Sequence, residues 1–144
     1  MDVAGAGRVS GHALLVCAAL RSTASEIDAL RRLADGASVR VEPFMPDFLE
    51  WLGMADLSIS RPGYNTCMNV LATHRRALLV PDPGMPDQVF RAGRFAELGW
   101  ADVLRDESPA AFADAIVRAL RRPPLAPDVA LDGGAQTGRL LEAL

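Results

Sequence analysis

The sequence has no lysine: all 15 of its basic residues are arginine. That removes Schiff-base chemistry and a phosphate-binding lysine loop, both of which need a primary amine. Only two cysteines, Cys17 and Cys67, and two histidines, His12 and His74, are present. No Ser-His-Asp arrangement, His-Glu-x-x-His motif or metal-spaced Cys/His cluster can be read from them. Both cysteines lie in apolar stretches of helical pattern and are expected to be buried, reduced thiols. Long hydrophobic runs are missing as well. HALLVCAAL at 12–20 is too short to cross a bilayer and lacks the basic start and cleavage pattern of a signal peptide. With a net charge of −3 and a pI of about 5.3, no basic footprint for nucleic acid exists. The expectation is a cytoplasmic chain with no transmembrane segment, no nucleic-acid partner and no metal.

What is present is a globular balance, 50% hydrophobic and 23% charged over 144 residues. The length fits one domain, residues 1–144, able to bury roughly two-thirds of its unfolded surface without disulfides or metal. Residues 2–4 read as the stub of a strand, followed by GAGRVSG and a helix through about Arg21. Thr23 and Glu26 have capping-box spacing, so the next helix runs from about Ala24 to Ala34 and ends at Gly36. SVRVEPF at 38–44 alternates and is β-branched, a strand. Pro46 suits the first turn of a short helix, PDFLEWLGM. DLSIS at 56–60 is a strand, and a helix follows from about Tyr64 to Thr73. ALLVP at 77–81 is a continuous apolar run, as expected of a strand buried on both faces. A helix from Gln88 to Leu98, a short strand ADVL, and a helix opened by Ser108-Pro109 complete the alternation. RRPPLAP is a linker, and Gly134 to Leu144 a terminal helix. Alternating strands and helices predict a parallel sheet with helices on both faces. Ligands bind such sheets outside the carboxyl ends of the strands.

Three loops carry polar or glycine-rich sequence. Gly5, Gly7 and Gly11 in GAGRVSGH suit backbone approach to an anion, though the spacing is not that of a dinucleotide fingerprint. In SISRPGYNTCMN, Pro62 ends a strand, and Gly63 is read as permitting a sharp turn and leaving room for a ligand. The N–H groups of Tyr64, Asn65 and Thr66 then fall at a helix N-terminus, where Asn65 or Thr66 would alternatively serve as a cap. Asn69 lies three residues after Thr66 on the same face, and a mid-helix Asn calls for a partner for its amide. In PDPGMPDQVFRAGRF, Asp87 and Gln88 fall at the next helix start, Asp87 as a cap and Gln88 directed back over the strand ends. His74, between helix and strand, reads as a structural left-handed or dipole-matched residue. His12 reads as a surface residue.

FMPDFLEWLGMADLSISRPGYNTCMNVLATHRRALLVP, followed by DQVFRAGRFAELGWADVL, resembles the C-terminal domain of the family-28 glycosyltransferases, the MurG-like group of GT-B architecture. The likeness covers about 44–104 well and the two ends more loosely. It implies an α/β fold, a Rossmann-like parallel sheet flanked by helices, one half of a GT-B architecture. It implies a metal-independent transferase of hexosyl or N-acetylhexosaminyl groups, with a nucleotide-sugar donor, a UDP-sugar first, and no separate cofactor. By the resemblance, Gly63–Thr66 and the preceding Arg61 lie on the phosphate side of the donor, and Gln88, beside Asp87, contacts the donor sugar. Phe44 and Met45 meet the base, and Gly5, Gly7 and Gly11 approach the phosphates. The family's ribose-binding Glu aligns with Asn69, so the anionic clamp is lost. The family also has a strand between its first two helices that LRSTASEID does not offer. The resemblance covers only the donor half: the acceptor site and the base belong to an N-terminal domain or partner subunit, and the chain alone is expected to be inactive. Two rival readings stay open, a nucleotide-sugar epimerase-like domain and a non-catalytic α/β binding module.

Overall fold

The computed structural model describes residues 14–18 and 22–142. Its elements are β1 (Leu14–Cys17), α1 (Ala24–Ala34), β2 (Val39–Glu42), α2 (Phe48–Met54), β3 (Leu57–Ser60) and α3 (Tyr64–Thr73). They are followed by β4 (Arg76–Leu79), α4 (Pro86–Glu97), β5 (Asp102–Val103), α5 (Pro109–Arg121) and α6 (Gly133–Glu142). Every ladder among the described residues is parallel. β1 pairs with β2, Leu14 opposite Val39, while β4 lies between β3 and β5, with Leu57 opposite Arg76 and Leu78 opposite Asp102. The described strands thus form two parallel ladders, β1-β2 and β3-β4-β5. Among the described residues no strand joins them.

β1 overturns the helix expected through about Arg21. A short continuous apolar run has no periodicity that separates strand from buried helix. Pairing decides it here, because LLVC finds an edge of equal length in VRVE. β1 lies ahead of LRSTASEID, whose described residues, 22–28, hold no strand. Cys17, at its end, is exposed rather than buried, whereas Cys67 is fully buried. Gly5, Gly7, Gly11 and His12 lie outside the described residues. The chain forms β1 from Leu14 to Cys17, so the helix expected through about Arg21 does not run across those residues.

The other elements follow their local chemistry. Thr23 and Glu26 form both arms of the capping box: Glu26 N–H donates to Thr23 Oγ1 at 3.3 Å and Thr23 N–H to Glu26 Oε2 at 2.7 Å. Those hydrogen bonds from Thr23, the backbone one first, hold the Glu26 carboxyl below its ordinary range. Ser108 caps α5 with Pro109 at its first position. His74 closes α3 in the left-handed region at φ 55°.

β4 organises the core. Its side chains alternate between faces. Ala77 and Leu79 pack with Cys67, Val70 and Leu71 of α3 and with Ala92 and Phe95 of α4. Leu78 and Val80 point the other way, onto Ala115 and Ala119 of α5 and Leu104. All four are buried, as a strand covered on both faces requires. The small residues Ala115 and Ala119, one turn apart, let α5 lie close against the sheet. This packing fixes the carboxyl ends of β3 and β4 side by side, with α3 and α4 starting from them.

Candidate functional site

The turn at the end of β3 is built without a side-chain cap. Gly63 is the N-cap of α3, and Cys67 N–H donates to its carbonyl at 3.0 Å, the first bond of the helix. The preceding N–H groups of Tyr64, Asn65 and Thr66 have no acceptor among the described residues. Asn65 and Thr66 therefore do not cap, and three donors open at the positive end of the helix dipole. Gly63 sits at φ −64°, ψ 152°, a conformation open to any residue. An added Cβ would meet Thr66 Oγ1 only at 3.7 Å. The expected reason for glycine, a sharp turn, is thus not the reason. Nothing else lies within 4 Å of that Cβ position, so the space beside the turn is open.

Arg61 fastens the strand ends. One guanidinium nitrogen donates to the Val80 carbonyl at 2.9 Å and to Glu107 Oε1 at 3.1 Å. It joins the ends of β3 and β4 to the loop ahead of α5. Asn69 is half-buried on α3, and its amide makes no hydrogen bond among the described residues. Only its carbonyl is engaged, accepting from Thr73 Oγ1 at 2.8 Å. Tyr64 is largely exposed beside the donors.

The loop after β4 closes on itself. Gln88 Oε1 accepts from Asp82 N–H at 3.1 Å, and Gln88 Nε2 lies 2.9 Å from Met85 Sδ. Gln88 does turn back from the helix start, but onto its own loop rather than the neighbouring one. Asp87 is not the cap. Met85 occupies that position without a side-chain bond, and Asp87 sits in the first turn, paired with Arg91 at 3.3 Å. Arg91 also donates to the Pro62 carbonyl across 29 residues of chain. Sequence reading missed Arg91, although its place three residues after Gln88 and four after Asp87 puts all three on one face. Beneath it, burial pushes the Cys67 thiol from 9.0 up to about 11, against the opposing pull of the Arg91 charge. The thiol is a packed core group, not a nucleophile.

Phe44 and Met45 follow β2. Phe44 is exposed and Met45 buried, and both line a cavity of about 160 Å³ shared with Leu15, Arg40, Glu42, Pro46 and Trp51. The Arg40 guanidinium stands 5.5 Å from the centre of the Trp51 ring. A larger cavity, about 320 Å³, lies at the amino ends of β4 and β5, between Arg76, Trp100, Asp102, Arg122 and Leu125. Size does not make it the site. Arg122 is held by Asp102 at 3.1 Å and by the Gly99 carbonyl at 3.0 Å, and Arg76 by backbone carbonyls of Arg122 and Asp56. Its polar groups are committed to the fold, whereas the free donors are at the carboxyl edge.

Residues 16–123 match the family model described as the glycosyltransferase family 28 C-terminal domain. The chain belongs to that family. The family-28 domain is the donor-binding domain of a glycosyltransferase, with an α/β, Rossmann-like fold. It is 34% identical over 107 residues to a transferase of Albidiferax ferrireducens, UDP-N-acetylglucosamine--N-acetylmuramyl-(pentapeptide) pyrophosphoryl-undecaprenol N-acetylglucosamine transferase. That match takes in 70% of this chain and 28% of the relative. The crystal structure of the glycotransferase of kitacinnamycin superposes with a TM-score of 0.57 over 81% of this chain and 37% of its own, at 18% identity. At that identity the likeness concerns the fold. The domain thus spans less than a third of the curated relative and less than two-fifths of the solved one. No described helix is long and apolar enough to cross a membrane.

Proposed function

We propose that the family-28 domain binds the diphosphate of a nucleotide-sugar across the start of α3. The observation that carries this reading is the uncapped helix N-terminus at the sheet's carboxyl edge, with three free N–H donors beneath an open glycine. Such a terminus meets a diphosphate with directed hydrogen bonds and a favourable dipole. It also stabilises the charge that builds on the diphosphate as the sugar leaves. In this reading Asn69 takes the ribose, Gln88 the donor sugar once its amide leaves Asp82 and Met85, and Phe44 with Met45 the base. Arg61 holds the strand ends in place beneath the phosphates, and Tyr64 and Asp87 flank them. Gly5, Gly7 and Gly11 supply a second phosphate contact.

The donor is a UDP-sugar, by analogy with the transferase of Albidiferax ferrireducens, whose name carries UDP-N-acetylglucosamine. The group transferred is hexosyl or N-acetylhexosaminyl, without a metal. The chain acts as one donor domain in the cytoplasm and needs an acceptor domain, on the same or a second polypeptide, to complete the reaction. A thermal-shift panel of UDP-, TDP- and GDP-sugars tests this. A rise in melting temperature with a uridine donor, greater than with the other two, is expected. No rise with any of the three defeats the donor assignment. Sugar transfer by the 144-residue chain alone, to a lipid or a small acceptor, would contradict the need for a second domain.

A further inference from the structure

We propose that Arg91 is a positioning residue of the donor site, an inference that rests on the donor reading above. Its side chain is mostly covered, 23% exposed, although its partner Asp87 is 65% exposed. One guanidinium nitrogen donates to the Pro62 carbonyl, the peptide group immediately before the Gly63 cap of α3. Both terminal nitrogens reach Asp87 Oδ2, at 3.4 and 3.3 Å, in the first turn of α4. A single planar group therefore ties the turn that presents the free donors of Tyr64, Asn65 and Thr66 to the helix start that carries Gln88.

No other side chain performs this link among the described residues. Arg61 joins β3 to β4 and to Glu107, on the strand side of the turn, and leaves the Pro62 carbonyl alone. Gly63 brings no side chain to brace the turn, and its own N–H closes only locally on the Arg61 carbonyl at 2.8 Å. The orientation of the α3 N-terminus toward a ligand thus depends on a guanidinium that arrives from α4. Its charge also offsets Asp87, which would otherwise repel a diphosphate at this edge. A lysine at this position keeps the charge but lacks the rigid fork, so it cannot hold Pro62 and Asp87 together.

The test uses the 144-residue chain with UDP as the probe. Arg91→Lys, Arg91→Gln and Arg91→Ala are compared with wild type by calorimetric titration, melting curves and amide spectra. Loss of the fork should weaken UDP binding about tenfold in all three, including the lysine variant, as expected when a charge-assisted hydrogen bond is lost. Melting should change little, and the amide signals of Gly63 to Thr66 should move in the free protein. Millimolar guanidinium should restore UDP affinity to Arg91→Ala, which a generally weakened fold would not show. Wild-type affinity in Arg91→Lys would show that charge alone suffices and would overturn the proposal. So would wild-type affinity in Arg91→Gln. If Arg91→Ala fails to fold, the lysine variant still decides. If wild type binds neither UDP, TDP nor GDP, the donor reading fails and the proposal goes with it. UDP binding that is untouched by the substitutions removes Arg91 alone.

Discussion

Replacing Asn69 with alanine separates a ligand role from a structural one. Asn69 is half-buried in the second turn of α3, and its side-chain amide has no hydrogen-bond partner among the described residues. The fold therefore loses no bond when the amide goes. Alanine is the better helix former by roughly 0.5 kcal/mol, so stability should hold or rise slightly. For a domain of this size that is a change of about 2 °C in melting temperature. Binding should respond differently. A ribose diol held by a neutral amide gains one or two ordinary hydrogen bonds, worth about 1–2 kcal/mol, or about 5- to 30-fold in affinity. Asn69→Glu restores a carboxylate, whose charge strengthens hydrogen bonds to hydroxyls, and should tighten binding. The assay is calorimetric titration of the three proteins with UDP, beside their melting curves. Unchanged affinity in Asn69→Ala with a sharply lower melting temperature would refute the reasoning and make Asn69 a structural residue.

Leu78 is fully buried between the ladder and α5. Leu78→Ala should cost about 3 kcal/mol in urea unfolding, within the range for a large-to-small core change. Of the two thiols, exposed Cys17 should react with a thiol reagent in the native protein and buried Cys67 only after denaturation. Because burial raises the Cys67 thiol to about 11, the folded state keeps a proton that the unfolded state gives up near 9.0. The associated stability is complete below pH 9 and is lost as pH climbs toward about 11, a fall of roughly 2–3 kcal/mol measurable by denaturant titration. His74 adopts φ 55° at the end of α3. His74→Gly should raise stability by about 1 kcal/mol in the same titration, since glycine takes the left-handed region without its steric cost.

Most of the fold was legible because its signals were local. The capping box at Thr23, the Ser108-Pro109 start and the both-sides-buried run at Ala77–Val80 each act within a few residues. Their elements begin within about two residues of where they were expected. β1 was not legible, because LLVC becomes a strand through its pairing with residues 39–42, a non-local fact. For the same reason the helix expected to follow the glycine-rich loop gave way to β1 at 14–17, while the loop itself lies outside the described residues. At the site, the helix start at Tyr64 was visible in Pro62-Gly63. The sharp turn read into Gly63 was wrong, and only the backbone angles reveal that the turn itself does not demand glycine. Arg91 was hidden because its partner, the Pro62 carbonyl, is a backbone atom brought near by packing of α4 beside α3.

The most direct measurement is a titration of the isotopically labelled chain with UDP, TDP and GDP, following backbone amides. The account predicts that at least one nucleotide moves the signals of Tyr64, Asn65 and Thr66, whose N–H groups are free in the structure. Gly63 should move with them, while signals at the opposite sheet edge, around Asp102 and Arg122, stay in place. Unmoved signals from Gly63 to Thr66 with all three nucleotides, or a response confined to the cavity at Asp102 and Arg122, would contradict it.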